Sequence, residues 1–166
     1  MEYWDVYDAD GNFMGKSVEK GGIFLPGEYH LAIELWIVNS KKEILIQKRS
    51  EQCALLPGVW ALTTGRLLSG ENSLSGCIRE AKEELGISID ESQLVFLRRL
   101  SLPAELIWDI YAFKSDIASD FFALQSSEVS EVKWVSSETF YKMIENGDLF
   151  YYPEIFSVLS QVISLV

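Results

Sequence analysis

The sequence predicts an α/β domain of the α+β kind, in which a central mixed sheet carries helices on its faces and a β-hairpin precedes it. Two observations point there. The elements run in the order strands, helix, strands, helices. And the chain, 166 residues with 48% apolar content, shows no repeat, low-complexity tract or linker that would divide it. A single domain over 1–166 follows, large enough to enclose a core.

Trp4 to Asp8 and Asn12 to Val18 flank Ala9-Asp10-Gly11, a turn in which Asp-Gly tolerates positive φ, so residues 1–29 read as an N-terminal hairpin extension. Leu31 to Val38 and Ile44 to Lys48 are β-rich runs separated by the polar turn Asn39 to Lys42. Further strands are expected over Val59–Thr63, Leu94–Leu100, Leu106–Phe113 and Val132–Val135. Leu74, Cys77, Ile78, Ala81 and Leu85 recur at helical spacing between Ser73 and Leu85, with Gly86 placed for a left-handed C-cap. Two more helices follow, Ser137–Glu145 ending before Gly147, and Glu154–Ile163 with Pro153 at its first position.

The first of these helices carries the chemistry. Glu80, Glu83 and Glu84 are related by three- and four-residue steps and form one stripe beside the apolar face, Glu84 nearest the core. One turn from Glu80 stand Gly76 and Glu84, and one turn after Glu84 stands Ser88. Only Glu83 has a cation at that spacing, Arg79. The stripe repels itself, at about 0.2–0.5 kcal/mol per like-charged pair on an exposed helix. A divalent cation relieves that repulsion, and oxygen-only ligation suits Mg²⁺ or Mn²⁺ rather than zinc. The plain alternative is a solvated acidic face.

The whole spacing is Gly65, five residues, Glu71, seven residues, Arg79-Glu80, two residues, Glu83-Glu84, one residue, Gly86-Ile87. It matches the Nudix box without a gap, and on residues 65–87 the chain resembles that family. The resemblance implies an α/β/α sandwich that binds Mg²⁺ or Mn²⁺ and hydrolyses a diphosphate linkage in a nucleoside di- or triphosphate derivative. It implies Glu80, Glu83, Glu84 and the Gly65 carbonyl as metal ligands, with Arg79 and Glu71 paired to brace the turn. Gly65 and Gly86 also suit positions of unusual backbone angle. Beyond the box, Glu2 to Gly11, His30, Ile46 to Arg49, Pro57 to Trp60 and Gln125 to Trp134 resemble the Nudix branch that includes isopentenyl diphosphate isomerase. That isomerase has a cysteine just before the box glycine and a histidine just after it; here they are Thr64 and Arg66. Isomerisation then lacks its acid–base pair, and hydrolysis is favoured. A non-catalytic nucleotide-binding or regulatory Nudix domain is the other alternative.

A hydrolase needs a base for its water. Glu83 within the stripe and Glu128 on a later loop are both open for that role, with Glu105 behind them. Arg66 suits a substrate phosphate or a salt bridge to Glu71 or another local carboxylate, and Lys48 and Arg49 stand at a strand end where a phosphate contact or plain solvation is possible. His30 opens a strand, with a structural role or a place at the cleft mouth. Trp36, Trp108 and Trp134 fall in strand patterns and are expected in the core; Trp4 and Trp60 are expected to be more exposed. Cys77 lies on the apolar helix face as a small core residue rather than half of a disulfide with Cys53.

A net charge of −11 argues against non-specific nucleic-acid binding and anionic membrane surfaces; the small nucleoside diphosphate derivative expected as partner is what the Nudix resemblance implies. The opening residues show no signal segment, and Ile155 to Val166 is too short to span a bilayer, so a cytoplasmic location is expected. The apolar alternation of the N-terminal hairpin suits a homodimer.

Overall fold

The computed structural model describes residues 1–103 and 105–166. A two-stranded hairpin, β1 (Tyr3–Tyr7) and β2 (Phe13–Glu19), leads into β3 (His30–Val38) and β4 (Ile44–Arg49). The chain continues through β5 (Trp60–Ala61), β6 (Thr63–Arg66) and α1 (Ser73–Leu85) to β7 (Val95–Leu102), β8 (Leu106–Lys114) and β9 (Val129–Val135). Helices α2 (Ser137–Glu145) and α3 (Ile155–Ile163) close it. The strands from β3 onward form one mixed sheet in the order β5-β4-β3-β8-β7, with β6 also on β3 and β9 also on β4. The β3–β8 pairing is parallel and the others are antiparallel.

Strand β3 is buried along its whole length because both its faces are covered. Ile33, Leu35 and Ile37 point to α1, against Cys77, Ala81 and Leu85. Ala32 and Trp36 point the other way, to Phe140 of α2 and Val158 and Leu159 of α3. The result is the three-layer α/β/α sandwich. At the first layer Asn72 caps α1 by accepting from the Ser75 N–H, and Gly86 ends it at φ 70°.

Four expectations need correction. The single strand over Val59–Thr63 is two: β5 pairs with β4 and β6 with β3, the chain crossing between neighbours at buried Leu62. Trp4 is only 8% exposed, because β1 lays it against the His30 ring with centroids 4.5 Å apart. Trp36 and Trp108 are core residues as expected, whereas Trp134 is half-buried and donates its indole N–H to the Ile117 carbonyl. Trp60 is half-buried beneath the Lys133 ammonium. α3 starts one residue later than expected, at Ile155. No described helix is long and apolar enough to cross a membrane.

The α3 side of the sheet holds a carboxylate that no periodicity shows. Glu34 is 1% exposed, and its Oε1 accepts from the Trp36 indole at 2.6 Å and the Tyr152 hydroxyl at 2.5 Å. Burial pushes its carboxyl up to about 7, against the pull of the two donors. A group raised in the folded state stabilises the protein fully below its unfolded value near 4.5, and that contribution is lost as pH rises through about 7. Glu34→Gln keeps a carbonyl acceptor and cannot ionise. Metal-free Glu34→Gln should therefore gain melting temperature relative to wild type between pH 5 and 8, about 1.4 kcal/mol for each unit of displaced pKa. Melting curves that run parallel across that range would show that Glu34 does not titrate there.

Candidate active site

The loop from Gly65 to Asn72 and helix α1 form the site, and Arg79 organises it. Its Nε and Nη2 grip Glu71 at 2.8 and 2.9 Å, and Nη1 donates to Glu80 at 2.8 Å and Glu83 at 3.0 Å. Nη2 also donates to the Arg66 carbonyl at 3.1 Å. All five guanidinium donors are thereby used. The expectation of a stripe almost without compensating charge is corrected here: helical spacing counts cations one turn away and overlooks an arginine that folds back on its own neighbour. Glu71 Oε2 in addition accepts from the Leu68 N–H at 3.0 Å, which ties the loop. The Arg79–Glu71 brace is thus present.

Glu84 is 6% exposed, and its Oε2 takes the Gln47 amide N–H at 2.6 Å. Gln47, itself buried on β4, is oriented by the Thr63 hydroxyl, which donates to its Oε1 at 2.8 Å. Gln47 and Thr63 are the polar residues sequence reasoning missed. Both sit in apolar strands, and a polar side chain at an inward strand position was the available signal. Burial pushes Glu84 up to about 8 and Glu80 up to about 7. For Glu84 the neighbouring Glu80 and Glu128 charges add to the rise, while the Gln47 donor opposes it.

Gly65 does not have the unusual backbone angle anticipated for it; only Gly86 of that pair sits at positive φ. Its requirement is space. A Cβ there would stand 2.0 Å from Glu80 Cδ and 2.1 Å from Oε1, so the glycine lets the Glu80 carboxyl lie directly against the end of β6. That is close backbone approach, the second reason a chain selects glycine.

Glu128 lies on the loop before β9. Gln125 donates its N–H to the Glu84 carbonyl at 3.1 Å, and Glu128 Oε2 takes the Cys53 thiol at 3.5 Å, so the loop docks on the C-terminal end of α1 beside Glu84. Glu83 is half-exposed, with its carboxylate on Arg79. Glu105 belongs to the turn between β7 and β8, where its carbonyl accepts from the His30 N–H. Arg49 donates Nε to the Leu55 carbonyl at 2.8 Å. Arg66 does not bridge to Glu71, which Arg79 occupies. It lies over the Trp4 ring at 4.7 Å and donates to His30 Nδ1 at 3.2 Å.

Among the described residues no three His, Cys, Asp or Glu side chains converge on a shared point. Glu80 and Glu83 each form an ion pair with Arg79. The donor chemistry nevertheless fits a hard divalent ion. Every candidate donor is an oxygen, Gly65 leaves room at Glu80, and Gln47 orients Glu84 from the side.

A NUDIX domain model matches residues 28–154, most of the chain. The chain belongs to the Nudix family. An uncharacterised Nudix hydrolase of Listeria innocua is 34% identical over 154 residues, covering 92% of this chain and 90% of that protein. Nudix hydrolase 3 of Arabidopsis thaliana is 32% identical over 165 residues, 92% of this chain against 21% of that longer protein. Among solved structures, a Deinococcus radiodurans protein superposes at TM-score 0.80 with 20% identity, over 97% of this chain and 99% of its own. The Nudix domain of Shewanella oneidensis NrtR, crystallised with ADP ribose, superposes at 0.62 with 14% identity over 87% and 90%. The last two establish a shared fold. This Nudix chain carries Glu80, Glu83 and Glu84 on α1 and Glu71 on the loop before it, and its residues before 28 lie outside the matched domain.

Proposed function

We propose that this Nudix protein is a divalent-metal-dependent hydrolase that cleaves a diphosphate linkage in a nucleoside di- or triphosphate derivative by attack of water at phosphorus. The observation that carries the proposal is the placement of two carboxylates: Glu80 against a glycine that has no room for a side chain, and buried Glu84 steered by Gln47. Glu80, Glu83, Glu84 and the Gly65 carbonyl would hold Mg²⁺ or Mn²⁺. When bound, such an ion neutralises diphosphate charge and lowers the pKa of water. Arg79 bridges Glu80 and Glu83 through one nitrogen and, through Glu71, ties the loop to the helix. Glu128 is the base we favour, because its loop is anchored on Glu84 and its carboxylate is held near that residue by the Cys53 thiol; Glu83 is the alternative. Arg66, and Arg49 at the end of β4, would take substrate phosphate.

The ADP ribose bound to the NrtR Nudix domain supports a nucleoside diphosphate derivative as the ligand class. A soluble cytoplasmic protein suits such a substrate, and the exposed Phe13 and Met14 of β2 are the surface a homodimer would use. The deciding experiment follows phosphate or nucleotide release from nucleoside diphosphate sugars, dinucleotides and triphosphates with Mg²⁺ or Mn²⁺. Wild type should turn over at least one class only with metal, and Glu84→Gln should lose that turnover by 100-fold or more, the order seen when a charge-stabilising group is removed. Metal binding without turnover of any compound would favour a ligand-binding domain instead.

A further inference from the structure

The N-terminal hairpin lies outside the matched Nudix domain, yet it makes polar contacts with the loop of the box. The Tyr3 carbonyl accepts from the Ser69 N–H at 2.8 Å. Asp5, 8% exposed, accepts from the Ser69 hydroxyl at 2.6 Å, from the Gly70 N–H at 2.8 Å and, from within the hairpin, from the Ser17 hydroxyl at 2.6 Å. A buried carboxylate with three donors is a fixed point. Two residues of the hairpin strand thus set the position of the turn that begins at Gly65.

Between them, Trp4 meets Arg66. The guanidinium stacks over the indole at 4.7 Å and donates to His30 Nδ1 at 3.2 Å. His30 is itself enclosed by Trp4 and Phe24, with ring centroids at 4.5 and 5.4 Å, and its Nε2 faces the Leu67 carbonyl at 3.3 Å. A carbonyl only accepts and a guanidinium only donates, so the ring must carry its proton on Nε2 and be neutral. Burial, with Arg66 close by, pushes its pKa down to about 4, in keeping with that tautomer. Arg66 is therefore held in place by an aromatic face and a neutral nitrogen, both uncharged. No salt bridge among the described residues neutralises it, and the carboxylate nearest in sequence, Glu71, is occupied by Arg79. In a chain of net charge −11, a positioned and unneutralised guanidinium one residue from Gly65 is a site for an anion.

We propose that the hairpin is a working part of the substrate site: Trp4, together with His30, holds Arg66 as an arm for a substrate phosphate, while Asp5 and the Tyr3 carbonyl hold the loop that carries that arm. Trp4 and Asp5 are positioning residues, and Arg66 touches the ligand. The inference rests on the box being the diphosphate site, and inorganic pyrophosphate probes it without requiring turnover.

The experiment measures pyrophosphate affinity of the full-length protein by calorimetry with Mg²⁺ present, alongside Mg²⁺ affinity, circular dichroism and melting temperature. Arg66→Ala should weaken pyrophosphate by about 10-fold or more, the scale of a lost charge-assisted hydrogen bond. Trp4→Leu leaves the arginine in place but unsteadied and should weaken it by about 2–10-fold, the cost of ordering a free side chain on binding. Mg²⁺ affinity should change in neither, and Trp4→Phe, which keeps an aromatic face, should restore most of the loss. The double variant Trp4→Leu/Arg66→Ala should match Arg66→Ala alone. Unchanged pyrophosphate affinity in a folded Arg66→Ala, or additive losses in the double variant, would overturn the arm. Should no diphosphate be hydrolysed while these affinity differences persist, the hydrolase reading fails and the arm stands.

Discussion

Gly65→Ala should keep its fold and lose its activity. The added Cβ would fall within 2.0–2.2 Å of three Glu80 side-chain atoms, far inside contact distance. Those atoms end a flexible side chain, so the carboxyl swings away while the strand stays paired with β3 opposite Ile33. Displacing a catalytic group by about 1 Å costs on the order of 100-fold in rate, and the expected loss in metal-dependent turnover is at least that. The same carboxylate is removed functionally by Glu80→Gln, so the double variant should be no slower than the slower single one. Circular dichroism and melting temperature should stay near wild type. Wild-type turnover in Gly65→Ala would show that Glu80 is not at the reacting centre.

Arg79→Met should instead be a stability variant that metal partly repairs. Its guanidinium satisfies Glu71, Glu80 and Glu83 together, and the first two carboxylates are only 14% and 13% exposed. Removing one member of a buried charge pair costs about 3–5 kcal/mol, and partial solvent access places this network near the lower bound. In a chain of this size that is roughly 6–12 °C of melting temperature. Millimolar Mg²⁺ should restore more stability to Arg79→Met than it adds to wild type, because a cation held by Glu80 and Glu83 then replaces part of the missing charge. Arg79→Lys should fall between, since a point charge cannot reproduce five donors in a planar fork. Equal Mg²⁺ stabilisation of both proteins would contradict a shared electrostatic role for Arg79 and the metal. Turnover measured in the same samples, under conditions where each variant is folded, separates the structural loss from a catalytic one.

What sequence alone made legible was local. The helix Ser73–Leu85, its Gly86 end and the common side of Glu80, Glu83 and Glu84 follow from spacing within one short segment, where 3.6 residues per turn dictates neighbours; the Arg79–Glu71 brace came from the family resemblance of the same segment. The layered fold was legible from the order of its elements, strands, helix, strands and helices, each announced by a periodicity within its own segment.

Register and long-range packing decided the rest. Whether Thr63 meets Gln47, whether Gln47 meets Glu84, and on which side of β6 Arg66 lies depend on how strands far apart in sequence align, and a shift of one residue would turn each side chain to the opposite face. The same holds for Trp4, which sequence placed at the surface. Alternation within the hairpin marks one face as apolar without saying what that face meets, and only the docking of β1 against Tyr29 and the box loop brings the indole onto Arg66. The acidic set of this Nudix chain was therefore written in its local spacing, while the side chains that orient it came together only when distant segments packed, because a contact between residues tens of positions apart leaves no periodic trace in either segment.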